Sequence, residues 1–241
     1  MRIIGHRGAR GEAPENTLGG FQYIQDLGIR AVEFDVRQLK DDALIIMHDD
    51  QMIRTTGQEK SLYDCTSSDL CNYDQSHTWQ SWENFEVTPL LDHTLKIIHN
   101  FDHIEVEVKA VSSDYAANKL VETLQRHLTG YEHSAVITSF DTKIHQALNQ
   151  QKSSLKHGLL IENDIQHRAI DQALTLGCCQ IGWMNQLATN EIIASTQAAN
   201  LAISVWTVND IKRAQELLLL GVDGLITDFP KEMQKALSSK T

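Results

Sequence analysis

The chain has 241 residues, 41% hydrophobic and 22% charged, which is the profile of one globular domain, or at most two, with material for a sizeable core. Its formal net charge of -11 argues against a nucleic-acid surface or an anionic-membrane surface, because both are recognised by basic patches. An anionic substrate would need a local cluster of cations or a metal.

The first strand is short and apolar, Ile3-Ile4, and runs straight into Gly5-His6-Arg7-Gly8. Ala13-Pro14-Glu15-Asn16-Thr17 then starts a helix in which Leu18, Phe21, Ile24 and Leu27 line one face and Gly28 is the stop. A second strand follows over 31–36, then an Asp41-Asp42 turn signal and a β-like run over 44–48. No helix fits between these two runs, so the spacing predicts a hairpin closed by a two-residue turn. Counted from that turn, Leu39 faces Leu44, Arg37 faces Ile46 and Asp35 faces His48. From 49 to 88 the pattern weakens into a polar, aromatic-dotted insertion, placed over the mouth of the site. Alternation resumes with helices over 90–99, 115–128, 142–150, 165–176, 191–199, 210–220 and 231–237. The intervening strands cover 104–109, 135–139, 158–161, 180–183, 202–206 and 224–226. Eight parallel-type strands, each followed by a helix, in a chain near the ~250 residues typical of the fold, predict an α/β protein of the (β/α)8 TIM-barrel class. A doubly wound sheet is the alternative, but the Gly-x-Gly-x-x-Gly turn it normally carries after strand one is missing.

Catalytic groups of such a barrel sit at the carboxyl ends of its strands. Those ends read His6-Arg7, Glu33-x-Asp35, His48-Asp49, Glu107-x-Lys109, Ser139 and Trp206. Alternate strand residues share a face, so Val32, Phe34 and Val36 pack outward while Glu33 and Asp35 point to the lumen. Glu33, Asp35 and Glu107 converging from neighbouring strands repel one another unless a cation sits between them. A hard divalent ion held by oxygen fits, which means Mg2+ or Ca2+, with Mn2+ also allowed. Three carboxylates and a phosphodiester monoanion are balanced by the ion, Arg7 and Lys109. His6 and His48 are the candidate acid and base for in-line displacement at phosphorus, with Asp49 placed to orient His48. The other nine histidines lack metal-type spacing, and Glu105, deeper on the lumen face, is expected as a paired core carboxylate.

Met1 leads directly into the first strand without a leader-like segment, and no stretch approaches the length of a membrane span, so a cytoplasmic protein without membrane insertion is the expectation. Cys65, Cys71, Cys178 and Cys179 make no Cys-x-x-Cys pair and read as free thiols. Three prolines and no low-complexity run give no linker, so 1–241 reads as a single domain; the oligomeric state stays open between monomer and homodimer.

Taken together the motifs resemble the glycerophosphodiester phosphodiesterase family, within the wider group of phosphatidylinositol-phospholipase-C-like barrels. The likeness rests on Gly5-His6-Arg7-Gly8, Pro14-Glu15-Asn16-Thr17, Glu33-x-Asp35, His48-Asp49, Glu107-x-Lys109, Ser139-Phe140, Trp206-Thr207-Val208-Asn209 and Gly221-Val222-Asp223-Gly224 with Ile226-Thr227-Asp228-Phe229-Pro230. It implies hydrolysis of glycerophosphodiesters to sn-glycerol 3-phosphate and an alcohol. By the same resemblance His6 and His48 are general acid and base, Glu33, Asp35 and Glu107 hold one divalent ion, Arg7 and Lys109 contact phosphate, and Trp206 is the aromatic beside the substrate. The stretch 51–61 departs from the pattern in being shorter than the glycine-rich segment many members carry there. Related phosphodiesterases acting on lysophospholipids are one alternative. A glycoside hydrolase and a non-catalytic phosphate-binding barrel are alternatives of other classes; a glycosidase needs two facing carboxyl groups rather than two histidines and a lysine. No cage for a particular headgroup is evident, so choline and ethanolamine diesters are expected to react alike.

Overall fold

Strand and helix alternate along the chain because apolar residues recur every second position in one and every third or fourth in the other. In the computed structural model, which describes residues 1–238, the elements run as follows. Strand β1 (Arg2–His6) leads to α1 (Leu18–Asp26), β2 (Ala31–Gln38) and β3 (Leu44–Ile46), then to the short helices α2 (Ile53–Thr56) and α3 (Ser67–Leu70). Next come α4 (Leu91–Ile97), β4 (His103–Val108), α5 (Asp114–His127), β5 (Ala135–Ser139), α6 (Thr142–Gln150) and β6 (Lys156–Ile161). The last third holds α7 (Arg168–Thr175), β7 (Gln180–Met184), α8 (Asn190–Ala198), β8 (Ala202–Trp206), α9 (Ile211–Leu219), β9 (Gly224–Thr227) and α10 (Pro230–Ser238).

Eight of these strands pair in parallel in the order β1-β9-β8-β7-β6-β5-β4-β2, and β1 also pairs with β2, which closes the barrel. Outward residues pack under the helices in two large clusters, one holding Phe21, Val32, Phe34 and Val36, the other Ile181, Trp183, Ile203 and Val205. Phe34 meets Phe21 of α1 edge to face, with ring centroids 5.7 Å apart; emptying such a position costs roughly 3–5 kcal/mol. The inner face is partly polar: Glu105 is fully buried, 3.1 Å from His103 Nε2, and accepts from Ser204 Oγ at 3.3 Å, as expected of a paired core carboxylate.

The hairpin is antiparallel, but its register corrects the sequence reading by one residue. Val36 pairs with Ile46, Arg37 with Ile45 and Gln38 with Leu44, and the Met47 amide donates to Asp35 O. The loop has three residues, not two. Asp42 N donates to Leu39 O, Leu39 N donates to Ala43 O, and Asp42 takes up the third loop position at φ 67. An Asp tolerates this left-handed conformation, and it adds the residue that shifts the ladder. Asp35 therefore faces Met47 instead of His48.

The predicted elements correspond to observed ones, with ends moved by a few residues. The segment between β3 and α4 is built of short helices on a small apolar cluster of its own, including Met47, Met52, Leu62 and Leu70. All four cysteines are free, and among the described residues no helix is long and apolar enough to cross a membrane.

Candidate active site

The turn after β1 explains its two glycines. A Cβ at Gly5 would stand 2.0 Å from the Gly8 carbonyl oxygen, and Gly8 itself sits at φ 89, so neither position accepts another side chain without strain. Arg7 is held at φ 50 and Asn16 at φ 56, a conformation uncommon for arginine and easier for asparagine. Hydrogen bonds stabilise it: Arg7 N donates to Glu33 Oε2 at 3.0 Å, and Asn16 N to Arg7 O at 2.9 Å. The strained turn thereby aims the Arg7 side chain and backbone at acids on β2.

Glu33, Asp35 and Glu107 offer oxygens within 4.8 Å of one another. Parallel pairing sets Asp35 beside Glu107 across β2 and β4, and His6 beside Glu33 across β1 and β2. Burial and the neighbouring carboxylates push the Glu33 and Glu107 carboxyls up. Burial acts the same way on Asp35, but Lys109 and Arg7 overcome it and hold that group well below the ordinary carboxylate range. Lys109 Nζ is 2.5 Å from Asp35 Oδ1 and bonds Glu107 as well, while Arg7 Nε is 3.2 Å from Asp35 Oδ2. Glu33 Oε1 is buried with no hydrogen-bond partner. A buried carboxylate oxygen left unpaired costs free energy, and a cation bound among these oxygens would remove that cost. The oxygen-only donor set suits a hard divalent ion.

Each histidine is held by a carboxylate. His6 Nδ1 is 2.6 Å from Asp228 Oδ1, and His48 Nδ1 is 2.6 Å from Asp49 Oδ1. An ionised carboxylate only accepts, so each Nδ1 carries the proton and each Nε2 keeps its lone pair. Burial lowers both imidazoles from their ordinary range, opposed at His6 by the bond to Asp228 and at His48 by the charge of Asp35. His48 reaches the site although the register predicted for it fails. The strand ends at Ile46, and Arg37 Nε and Nη2 donate to the His48 carbonyl at 2.9 and 2.6 Å, which sets the chain where it leaves the ladder.

All eight residues singled out in the sequence lie together. His6, Arg7, Glu33, His48, Glu107, Lys109 and Trp206 line one cavity of about 290 Å³, and Asp35 is buried against Arg7 and Lys109. Sequence reasoning gave no role to several residues that support them. Asn16 Nδ2 donates to Asp35 Oδ2 at 2.8 Å. Glu15 accepts from Arg7 Nη1 at 2.9 Å and from both terminal nitrogens of Arg54 at 2.7 Å, and Arg54 Nε reaches Asp49 Oδ2 at 2.5 Å. The pair Glu15 and Arg54 adds one charge of each sign, whereas Asp49 and Asp228 add two negative charges beside the histidines. Ser139 is buried and donates to Val108 O at 2.7 Å, a structural contact. Phe140 stands edge to face with Trp206 at 5.5 Å, and Phe140 and Glu162 also line the cavity. Two aromatic rings and a carboxylate thus stand along one side of the cavity.

A profile of the glycerophosphoryl diester phosphodiesterase family matches residues 6–232. The chain belongs to that family. A glycerophosphodiester phosphodiesterase of Bacillus altitudinis is 27% identical over 242 residues, covering 97% of each chain. Among solved structures, an Oleispira antarctica phosphodiesterase in complex with its product sn-glycerol-3-phosphate superposes with a TM-score of 0.87 at 22% identity, covering 99% of this chain and 97% of that one. A glycerophosphodiester phosphodiesterase of Agrobacterium tumefaciens gives 0.82 at 22% identity over 97% and 98%. Within the family match lie every carboxylate and histidine of the cavity.

Proposed function

We propose that this phosphodiesterase-family chain hydrolyses glycerophosphodiesters to sn-glycerol 3-phosphate and an alcohol, at the cavity between His6 and His48. The observation that carries the reading is the unpartnered, buried Glu33 Oε1 within a three-carboxylate cluster that Arg7 and Lys109 flank. Glu33, Asp35 and Glu107 would hold one divalent cation, Mg2+, Ca2+ or Mn2+, which when bound supplies positive charge opposite the phosphate oxygens. Arg7 and Lys109 bind the phosphate, the first as a planar fork and the second as a point charge. The Nε2 of one histidine takes the proton of the attacking hydroxyl as the new P–O bond forms. The other ring enters the step as an imidazolium, protonated at both nitrogens, and its Nε2–H gives the proton to the leaving alkoxide as its P–O bond breaks. The attacking hydroxyl is that of the glycerol next to the phosphate or of water; in the first case water then opens a cyclic phosphate. Asp228 and Asp49 hold Nδ1–H on both rings, which leaves Nε2 of the base free to accept and stabilises the imidazolium of the acid.

Assay of a chelated, cation-restored enzyme on glycerophosphocholine, a lysophospholipid and an aryl glycoside separates the classes. Release of sn-glycerol 3-phosphate from the first, dependent on the restored cation, is expected; sugar release without phosphate chemistry would overturn the assignment.

The insertion over 49–88 supports this site from behind, since Arg54 of α2 bonds both Asp49, behind His48, and Glu15, behind Arg7. Replacing Arg54 by Met is expected to lower kcat/KM by tenfold to a hundredfold, about 1.4–2.7 kcal/mol, with the circular dichroism spectrum unchanged. An undiminished kcat/KM would make the double clamp incidental.

Headgroup preference follows from the lining. A quaternary ammonium over Phe140 or Trp206 gains roughly 0.5–2 kcal/mol, so glycerophosphocholine is expected to exceed the diester with the uncharged headgroup glycerol in kcat/KM by a few-fold or more. Glu162→Gln is expected to narrow that ratio. Equal rates on both esters would remove headgroup recognition from this lining.

A further inference from the structure

A second group of metal-type ligands lies outside the cavity. His145 of α6, His157 of β6 and Cys178, two residues before β7, are all buried, and none of them lines the active-site cavity. They come from positions 12 and 21 residues apart, a spacing that carries no motif and that only the packing of α6 against the outer barrel wall brings together.

The geometry is specific. The Nδ1 atoms of His145 and His157 are 3.2 Å apart, and Cys178 Sγ lies 3.7 Å from the first and 3.5 Å from the second. For a tetrahedral zinc ion with bonds of about 2.0–2.1 Å to nitrogen and about 2.3 Å to sulfur, the corresponding edges are about 3.3 Å and about 3.6 Å. The three donors therefore stand as one face of such a shell. The tautomer of His145 is set as well: its Nε2 is 3.1 Å from Ser139 O, an atom that only accepts. The proton is thus on Nε2, and Nδ1 turns its lone pair on His157 and Cys178. A carbonyl bonded to the far ring nitrogen is the usual support of a ligating histidine.

We infer that His145, His157 and Cys178 bind one borderline-soft divalent transition metal, zinc(II) foremost, with a water molecule in the fourth position. Among the described residues no further His, Cys, Asp or Glu joins the group, so the fourth position falls to water. On binding, two neutral imidazoles form metal–nitrogen bonds and Cys178 forms a metal–sulfur bond, releasing its thiol proton to water. Two nitrogens and a sulfur discriminate against the hard cations that suit the oxygen cluster in the lumen. The ion would staple α6 to β6 and to the turn before β7.

The full chain, stripped with chelator, is titrated with cobalt(II) in excess magnesium. One equivalent is expected to give a thiolate-to-cobalt charge-transfer band with the visible bands of tetrahedral cobalt, and zinc is expected to displace both. Cys178→Ser should lose the charge-transfer band and Cys179→Ser should keep it; zinc should raise the melting temperature of the parent and leave that of Cys178→Ser unmoved. A parent chain without the band overturns the inference, whether or not the variants fold. So does a band that survives Cys178→Ser, or one unaffected by His157→Gln.

Discussion

Glu33→Gln is expected to reduce turnover of a glycerophosphodiester by at least about a thousandfold, about 4 kcal/mol of barrier, while leaving the barrel intact. The three carboxylates occupy a space in which their oxygens lie within 4.8 Å, and burial together with the charges of Asp35 and Glu107 already drives the Glu33 carboxyl up. Removing that charge weakens cation binding and, in chelator, relieves repulsion. The melting temperature of Glu33→Gln without cation is therefore expected to equal or exceed that of the parent. Asp35→Asn should be as inactive but less stable, because Lys109 and Arg7 lie at ion-pair distance from that carboxylate and Asn16 donates to it, and both cations would be left facing a neutral amide. Turnover by either variant near the parental rate, or by the parent in excess chelator, would sink the assignment of these acids to a cation.

Replacing either histidine by alanine is expected to lower kcat by about a hundredfold or more, the range for loss of a positioned acid or base. Binding of sn-glycerol 3-phosphate should weaken far less, since Arg7 and Lys109 remain. The two sites are not equivalent in their surroundings: His6 is buried and lies 3.9 Å from Glu33, whereas the His48 side chain is 36% exposed. His6→Ala is thus expected to disturb the acid cluster slightly as well, and His48→Ala to be the cleaner loss of proton transfer. Calorimetric titration with the product beside steady-state kinetics separates the two effects. A His48→Ala enzyme with parental kcat would return that residue to a packing role.

The barrel and the eight residues at its strand ends were legible because both follow from local rules. Period-two apolar patterning marks the strands, and the residue that ends a strand faces the site. The hairpin register was not legible, since it turned on whether Asp42 joined the loop or the ladder, a choice decided by one backbone dihedral. Asn16, Arg54 and Asp228 escaped for another reason: each acts on a partner brought near by tertiary packing, 39 residues away for Arg54 and Glu15 and 222 for Asp228 and His6. A signal for Asp228 existed. In a closed barrel the first and last strands are neighbours, so a carboxylate directly after the last strand is placed beside a histidine that ends the first. For Arg54, inside the irregular insertion, periodicity offers nothing comparable.

The seam between β1 and β9 sets a limit on partial molecules. Ile4 pairs with Ile226 and Gly5 with Thr227, and the ring of His6 is steadied only from the far side of that seam. By the time Trp206 has been synthesised, the chain holds His6, His48, the three acids, Arg7 and Lys109, yet the tautomer of His6 is unfixed and the wall beside it is open. Long-range pairings of this kind carry the largest loop-closure cost and come late in assembly. A fragment ending before residue 228 is thus expected to carry the candidate groups yet show no hydrolysis of a glycerophosphodiester.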